Sequence, residues 1–384
     1  MLEVLQILGG LIVGVLVDMW GRPAIERWLK RMEIQRAKRR YGSTGAPNPP
    51  KEFANYGLGN IEVAVMNLVG SPETPFGMNE VKVDYKPVMY HQQPDYPVAL
   101  ADAKSYLEEE YLRKSRLKNL TRTELPRLTE WEQEGETAEN KRGPLRLSFT
   151  MTTFDTYLTT NRSLDHEVIP ESGPLSRFSR NQSIRQAFVR FPYYLETSVL
   201  SNPLAVIVVV ISRNLNQDPK DQVIIRLRSK QVASYRNRYQ VSAAGYTSLA
   251  HRDDSHMPNP FVTAVCEARE EISDGLQLSP SDFRLIGLSI SWEDMLPCAY
   301  GYIETGLSVE DLFGDFRRDT FEGWLEAIPF EPRTVLTHIA QHKWTPESVL
   351  AMCATLLAYF PRERVEAIAR TIPAKVPRDF YEDE

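Results

Sequence analysis

Two runs of β-branched residues constrain the fold most. LAVIVVVIS (Leu204 to Ser212) and QVIIRLRS (Gln222 to Ser229) are each long enough for a strand, and the turn-rich RNLNQDPKD separates them. Together they predict a β-hairpin in a mixed sheet. Downstream, YQVSAAGYTSLAHRDDSHMPNP reads as a long polar loop, AVCEAREEISDGL as a helix, and FRLIGLSIS and CAYGYIET as two further strands. Pro260 suits the first turn of that helix, Asn259 is its candidate cap, and Gly275 follows where it should stop.

Before the hairpin, IEVAVMNLV and EVKVDYKPV read as strands, and ALADAKSYLEEEYLRKSRLKNL as a long charged helix. The polar TEWEQEGETAENKRGP then leads into the alternating LRLSFTMTTFDTYL. After the second strand pair the chain reads as mainly helical, through SVEDLFGDF, FEGWLEAI, PRTVLTHIAQH and PESVLAMCATLLAYF, with RDFYEDE as a frayed acidic tail. The expected division is a membrane anchor with a basic juxtamembrane helix at 1–40, a Gly/Pro-rich linker at 41–55, an N-terminal α/β extension at 56–200, a core at 201–310 and a helical extension at 311–384. A length of 384 residues with 42% hydrophobic and 25% charged residues suits such a globular chain. A formal net charge of -6 argues against nucleic acid as a partner, and three cysteines without CxxC spacing argue against a disulfide framework or a thiolate zinc site.

The central helix gathers Glu267, Glu270 and Glu271 at spacings that put them on one face. Such carboxylates repel one another unless a cation lies between them; a solvated acidic face is the simpler alternative. With this element order, the residues resemble the Nudix hydrolase family. The family signature runs from a glycine through an acidic position to Arg, Glu, aliphatic, any, Glu, Glu, any, Gly, aliphatic. CEAREE supplies its three glutamates as Glu267, Glu270 and Glu271, and Gly245 is the candidate for the leading glycine. The resemblance spans about Leu204 to Leu307, and LRLSFTMTTFDTYLTTNRSLD with SNPLAV is similar to the N-terminal extension of members that cleave UDP-sugars.

Three departures stand out: Cys266 occupies the arginine position, the loop after Gly245 is longer and carries Asp253 and Asp254 instead of a glutamate, and the closing glycine arrives late, as ISDGL. The resemblance implies an α/β (α+β) fold with a Nudix-type mixed sheet sandwiched between helices. It also implies magnesium, or manganese in its place, held by Glu270 and Glu271, with Glu267 as a further ligand or as the base that activates water. Magnesium suits such a site, since it takes oxygen ligands and shares them with substrate phosphates.

Alternation along QVIIRLRS puts Arg226 and Arg228 on one face, from which they are candidates to bind substrate phosphates, with Lys230 beside them; two solvated strand residues are an equal alternative. His251 and His256 beside Asp253 and Asp254 fit a second metal position less well than an ordinary polar loop. His338 and His342 lie four apart on one helical face without a third ligand, so a structural role is expected. Cys266 has no partnered histidine motif that would make it a nucleophile.

At the N-terminus, VLQILGGLIVGVLVDMW (Val4 to Trp20) just reaches the length of a membrane span and is followed by a basic excess from Arg22 to Arg40. The expectation is a transmembrane or amphipathic anchor helix with the globular part in the cytoplasm. Gly10 and Gly14 form a GxxxG spacing, and the C-terminal helices offer a second candidate surface for a homodimer. The expected function is a membrane-tethered, magnesium-dependent hydrolase of a nucleoside diphosphate linked to another group, a nucleotide sugar being one candidate. The alternative is a catalytically weak module that senses a nucleotide ligand.

Overall fold

A computed structural model describes residues 49–53, 56–90, 123–135, 142–165, 167–168, 182–213, 221–229, 235–314 and 323–373. In chain order, β1 (Tyr56–Leu58) and β2 (Ile61–Val63) form a short hairpin before β3 (Val65–Gly70). β4 (Val81–Met89), β5 (Glu124–Gln133) and β6 (Leu145–Thr153) form a three-stranded sheet in the order β4-β6-β5. α1 (Phe154–Thr159), the paired β7 (Glu167–Val168) and β8 (Gln182–Ser183), and α2 (Ile184–Phe188) lead to β9 (Ala205–Arg213) and β10 (Asp221–Arg228). β11 (Tyr239–Val241), β12 (Ala243–Tyr246), α3 (Pro260–Glu271), β13 (Phe283–Ser291) and β14 (Pro297–Thr305) follow. α4 (Val309–Gly314), β15 (Gly323–Pro329), α5 (Pro332–Gln341), α6 (Pro346–Tyr359) and α7 (Arg362–Thr371) complete the described chain.

The central sheet runs β11-β10-β9-β14-β13-β3, with β12 also paired to β9 and β15 to β10. The expected hairpin is there, with Asp221 opposite Arg213 and Ile224 opposite Val210. β9 also lies parallel to β14, which places it inside the sheet with both faces covered. Buried strands of this kind are apolar throughout instead of alternating. Val206, Val208 and Val210 pack with Phe261, Ala264, Val265 and Ala268 of α3. Ala205, Ile207, Val209 and Ile211 face the other way, into a core that α6 closes with α5 and α7 packed beside it. Each such aliphatic side chain contributes roughly 1.5–3 kcal/mol relative to exposure. The sheet therefore does lie between helices, with β3 from the expected N-terminal extension and β15 from the expected C-terminal extension joining it.

Three local expectations are corrected. FEGWLEAI has helical spacing, yet from Gly323 onward it belongs to β15, paired residue by residue with β10 from Gly323 opposite Arg228 to Pro329 opposite Gln222. Tertiary pairing overrides local periodicity here, and a Cβ at Gly323, whose φ is +131°, would strike the Leu227 carbonyl. The polar loop expected before α3 holds β11 and β12, whose Ala243, Ala244 and Gly245 carry no β-branched signal and become strand by pairing with β9. The polar stretch from Thr129 begins inside β5, where it pairs with β6. α7 has no counterpart among the expected helices. The linker's last turn, Lys51–Phe53, is anchored by Phe53, fully buried with its ring 5.1 Å from that of Trp292. The anchor segment, the long charged helix and the acidic tail lie outside the described residues, among which no helix is long and apolar enough to cross a membrane.

A polar centre interrupts the α6 side of the core. Asp294, in the β13–β14 turn, accepts from the Tyr157 hydroxyl (3.3 Å) and the Leu296 N–H (3.2 Å), with Arg162 3.9 Å away. Glu347, in the first turn of α6, accepts from the Tyr235 hydroxyl at 3.2 Å. Burial, with the Asp294 and Glu293 charges adding to it, pushes the Glu347 carboxyl up to about 7. A carboxyl whose folded value is raised stabilises the fold most when protonated, and that stability is lost as pH rises through 7. The Glu347→Gln protein is thus expected to melt a few degrees above the wild type at pH 8–9 and to lose that advantage toward pH 5. Melting curves across this range that stay parallel for the two proteins would contradict it.

Candidate functional site

α3 is built by its own sequence. Pro260 at its start has no N–H to waste, and the Asn259 side chain accepts from the Phe261 N–H at 2.9 Å. Phe261, Ala264, Val265 and Ala268 bury one stripe, which leaves Cys266, Glu267, Arg269 and Glu270 off it. The helix stops at Glu271, four residues before Gly275, and Arg269 ties down the following loop through the carbonyls of Leu276 (Nε, 3.1 Å) and Leu278.

The structure brings two of the three expected carboxylates together. Glu267 lies directly against Gly245 of β12, where any Cβ would overlap its carboxyl group. Glu271, one turn on, accepts from the Ala244 N–H at 3.2 Å and lies 3.4 Å from Arg226. Both acids thus converge on the Ala244–Gly245 backbone. Glu270 points to the exposed flank. There His251 feels its charge, although burial dominates and lowers the imidazole's affinity for a proton.

Arg226 and Arg228 share a face, as the alternation predicts, but the last turn of α3 covers Arg226. It is 1% exposed and donates from Nη2 to the Glu271 carbonyl at 2.6 Å. The expectation that it binds substrate phosphates directly is corrected: β10 turns Arg226 onto the α3 side of the sheet, where Glu271 takes up its charge. Arg228 donates to the Gln240 side chain. This arginine–glutamate contact was not legible beforehand, since nothing in the sequence relates position 226 to position 271.

The remaining candidates resolve differently. Asp253 organises its own loop, accepting from the N–H groups of Ser255 (2.9 Å) and Met257 (3.1 Å) and from Asn259 Nδ2 (3.1 Å). Asp254 and His256 are exposed. His338 and His342 stack with ring centroids 4.1 Å apart beside Tyr239, and burial pushes His338 down to about 4. They form an aromatic cluster with Trp344. Burial and the neighbouring Glu270 push the Cys266 thiol up, which opposes thiolate chemistry.

Among the described residues no group of three or more His, Cys, Asp and Glu side chains is arranged to hold a metal ion. A preformed protein cage is therefore not what this site offers. Magnesium, however, is commonly held by one or two carboxylates plus substrate phosphates and water. Glu267 and Glu271, meeting over a glycine that leaves room for them, fit that mode.

No protein-family model matches the chain, and no curated protein does. Among solved structures it is similar to a NUDIX hydrolase from Alicyclobacillus acidocaldarius, at 15% identity and a TM-score of 0.31, over 40% of this chain and 91% of that one. It is also similar to a MutT/nudix family protein from Enterococcus faecalis, at 12% identity and a TM-score of 0.26, over 43% of this chain and 66% of that one. Likeness at this level carries no activity across, and the chemistry has to stand on the geometry of the chain itself.

That geometry makes Gly245 the tightest constraint. Gly245→Ala is expected to displace the Glu267 carboxylate and to destabilise the protein by about 1–3 kcal/mol. Chemical denaturation reads the loss directly, and an unchanged midpoint would show that the glycine is not needed for space.

Proposed function

We propose that the protein is a Nudix-type hydrolase that cleaves the diphosphate bond of a nucleoside diphosphate linked to another group, with a nucleotide sugar as the first substrate to try. The observation that carries this reading is the convergence of Glu267 and Glu271 on Gly245. Two acids packed against bare backbone and beside a buried arginine are an expensive arrangement for a helix whose only task is to cover a sheet.

In this reading Glu267 and Glu271 hold magnesium or manganese together with substrate oxygens, and Glu270, on the open flank, completes the acidic rim. When bound, the metal neutralises diphosphate charge and acidifies a coordinated water. Glu267 would serve as a further ligand or as the base, and Arg226 and the Ala244 N–H engage Glu271. Arg228, half-buried on the same strand face, is left as the cation closest to a role in substrate binding. A second reading, a binding module that holds a nucleotide without cleaving it, is favoured by Cys266 at the position where the resemblance places arginine. The segment from Val4 to Trp20 and its basic flank support a membrane tether that leaves the globular part in the cytoplasm.

The test is turnover of nucleotide sugars, dinucleotides and nucleoside triphosphates by the full chain with magnesium or manganese. Metal-dependent cleavage is expected, falling by about 100-fold or more in the Glu267→Gln, Glu271→Gln variant. Tight nucleotide binding in calorimetry with no turnover by the wild type would transfer the protein to the second reading. For the tether, the full chain should stay with membranes through a carbonate wash; complete release would remove that part of the proposal.

A further inference from the structure

We propose that Arg226 is a positioning residue for this hydrolysis, holding the Glu271 carboxylate from the sheet in place of a cation on the helix; the inference rests on the hydrolase reading above. The need for such a residue follows from where the acids sit. Glu270 and Glu271 occupy the last turn of α3, at the negative end of the helix dipole, where carboxylates are disfavoured. Arg269, the basic residue of that turn, is spent on the carbonyls of Leu276 and Leu278. Position 266, one turn before Glu270, offers a half-buried thiol and no charge.

The charge comes instead from β10. Arg226 Nη2 lies 2.6 Å from the Glu271 carbonyl oxygen and 3.4 Å from its Oε2, so one amino group grips the residue by backbone and side chain together. The Ala244 N–H meets the same Oε2 at 3.2 Å. Two donors from two strands thereby set the direction of the carboxylate beside Glu267. A guanidinium that is 1% exposed acts in low dielectric, where its hold on an acid is strong.

The arrangement is also costly in a way that stability does not explain. Among the described residues, Arg226 Nε and Nη1 are buried without a hydrogen-bond partner, as is Nε2 of Gln240, its neighbour on β11. Unmet buried donors are unfavourable, and buried ion pairs are often replaced by apolar residues without loss of stability. A side chain kept under those conditions is kept for what it does to Glu271.

The experiment is a double-mutant cycle on the full chain, read as kcat and KM for the best substrate of the panel with magnesium. Arg226→Met is expected to lower kcat by about 10–100-fold while KM changes little. Because that variant leaves Glu271 buried beside no cation and is at risk of unfolding, the deciding comparison is Arg226→Met, Glu271→Gln against Glu271→Gln alone. Equal kcat in those two proteins, within about twofold, means that Arg226 acts through Glu271. A further 10–100-fold fall in the double variant, roughly the full effect of the single change, overturns the proposal and leaves the hydrolase reading standing. A wild type that turns over nothing in the panel sinks the hydrolase reading itself, and this inference with it.

Discussion

A strand without a polar side chain from Ala205 to Ile211 has no face to give to water. β9 must be covered on both sides, and the architecture follows from how each side is closed. The even positions take α3, the odd positions take α6 with α5 and α7 beside it, and the backbone edges take β10, β12 and β14. A helix drawn onto the sheet by apolar packing brings its polar flank along with it. The acids of α3 meet β12 because Ala264 and Ala268, small and buried, let the helix approach closely.

Close approach turns a helix-surface pattern into an electrostatic problem. On a solvated face, glutamates three and four apart merely repel by a few tenths of a kcal/mol. At the sheet they lose water, and each must find a partner or a space. Glu267 packs against Gly245, Glu271 meets Arg226 and the Ala244 N–H, and Glu270 lies on the exposed flank. One triplet thus divides into two acids fixed by the protein and one fixed by nothing so close.

What was legible in the sequence follows the same division. The hairpin, α3 with its Asn259 cap, β13, β14, α5 and α6 were readable because long apolar runs, periodicity and caps are local signals. β15 was not, because the spacing of Trp324, Leu325 and Ile328 suits a helix until β10 offers an edge. β11 and β12 were not, because β11 is three residues long and becomes strand by pairing with β10, and the small residues of β12 become strand by pairing with β9. The acidic triplet and Gly245 were singled out, yet their pairing was not: i and i+4 spacing groups all three glutamates alike, and only the position of β12 selects Glu267 and Glu271. Arg226 was noticed for the right face and the wrong partner, since alternation gives the face and only packing supplies what covers it.

β12 also relates the two polar centres of the molecule. Successive residues of a strand face opposite sides, so Gly245 meets Glu267 under α3 while Tyr246 turns to the other face. There its ring lies 5.3 Å from that of Tyr157, whose hydroxyl bonds to Asp294 in the centre shared with Glu347. A strand of four residues therefore carries the glutamate platform on one side and leans on a buried acid network on the other. Neither face can absorb a backbone shift in β12 without passing it on, because Gly245 has no clearance above it and Tyr246 is packed between Tyr157 and Phe154. The same tightness that fixes two carboxylates over one glycine makes the far side of the sheet part of what holds them there.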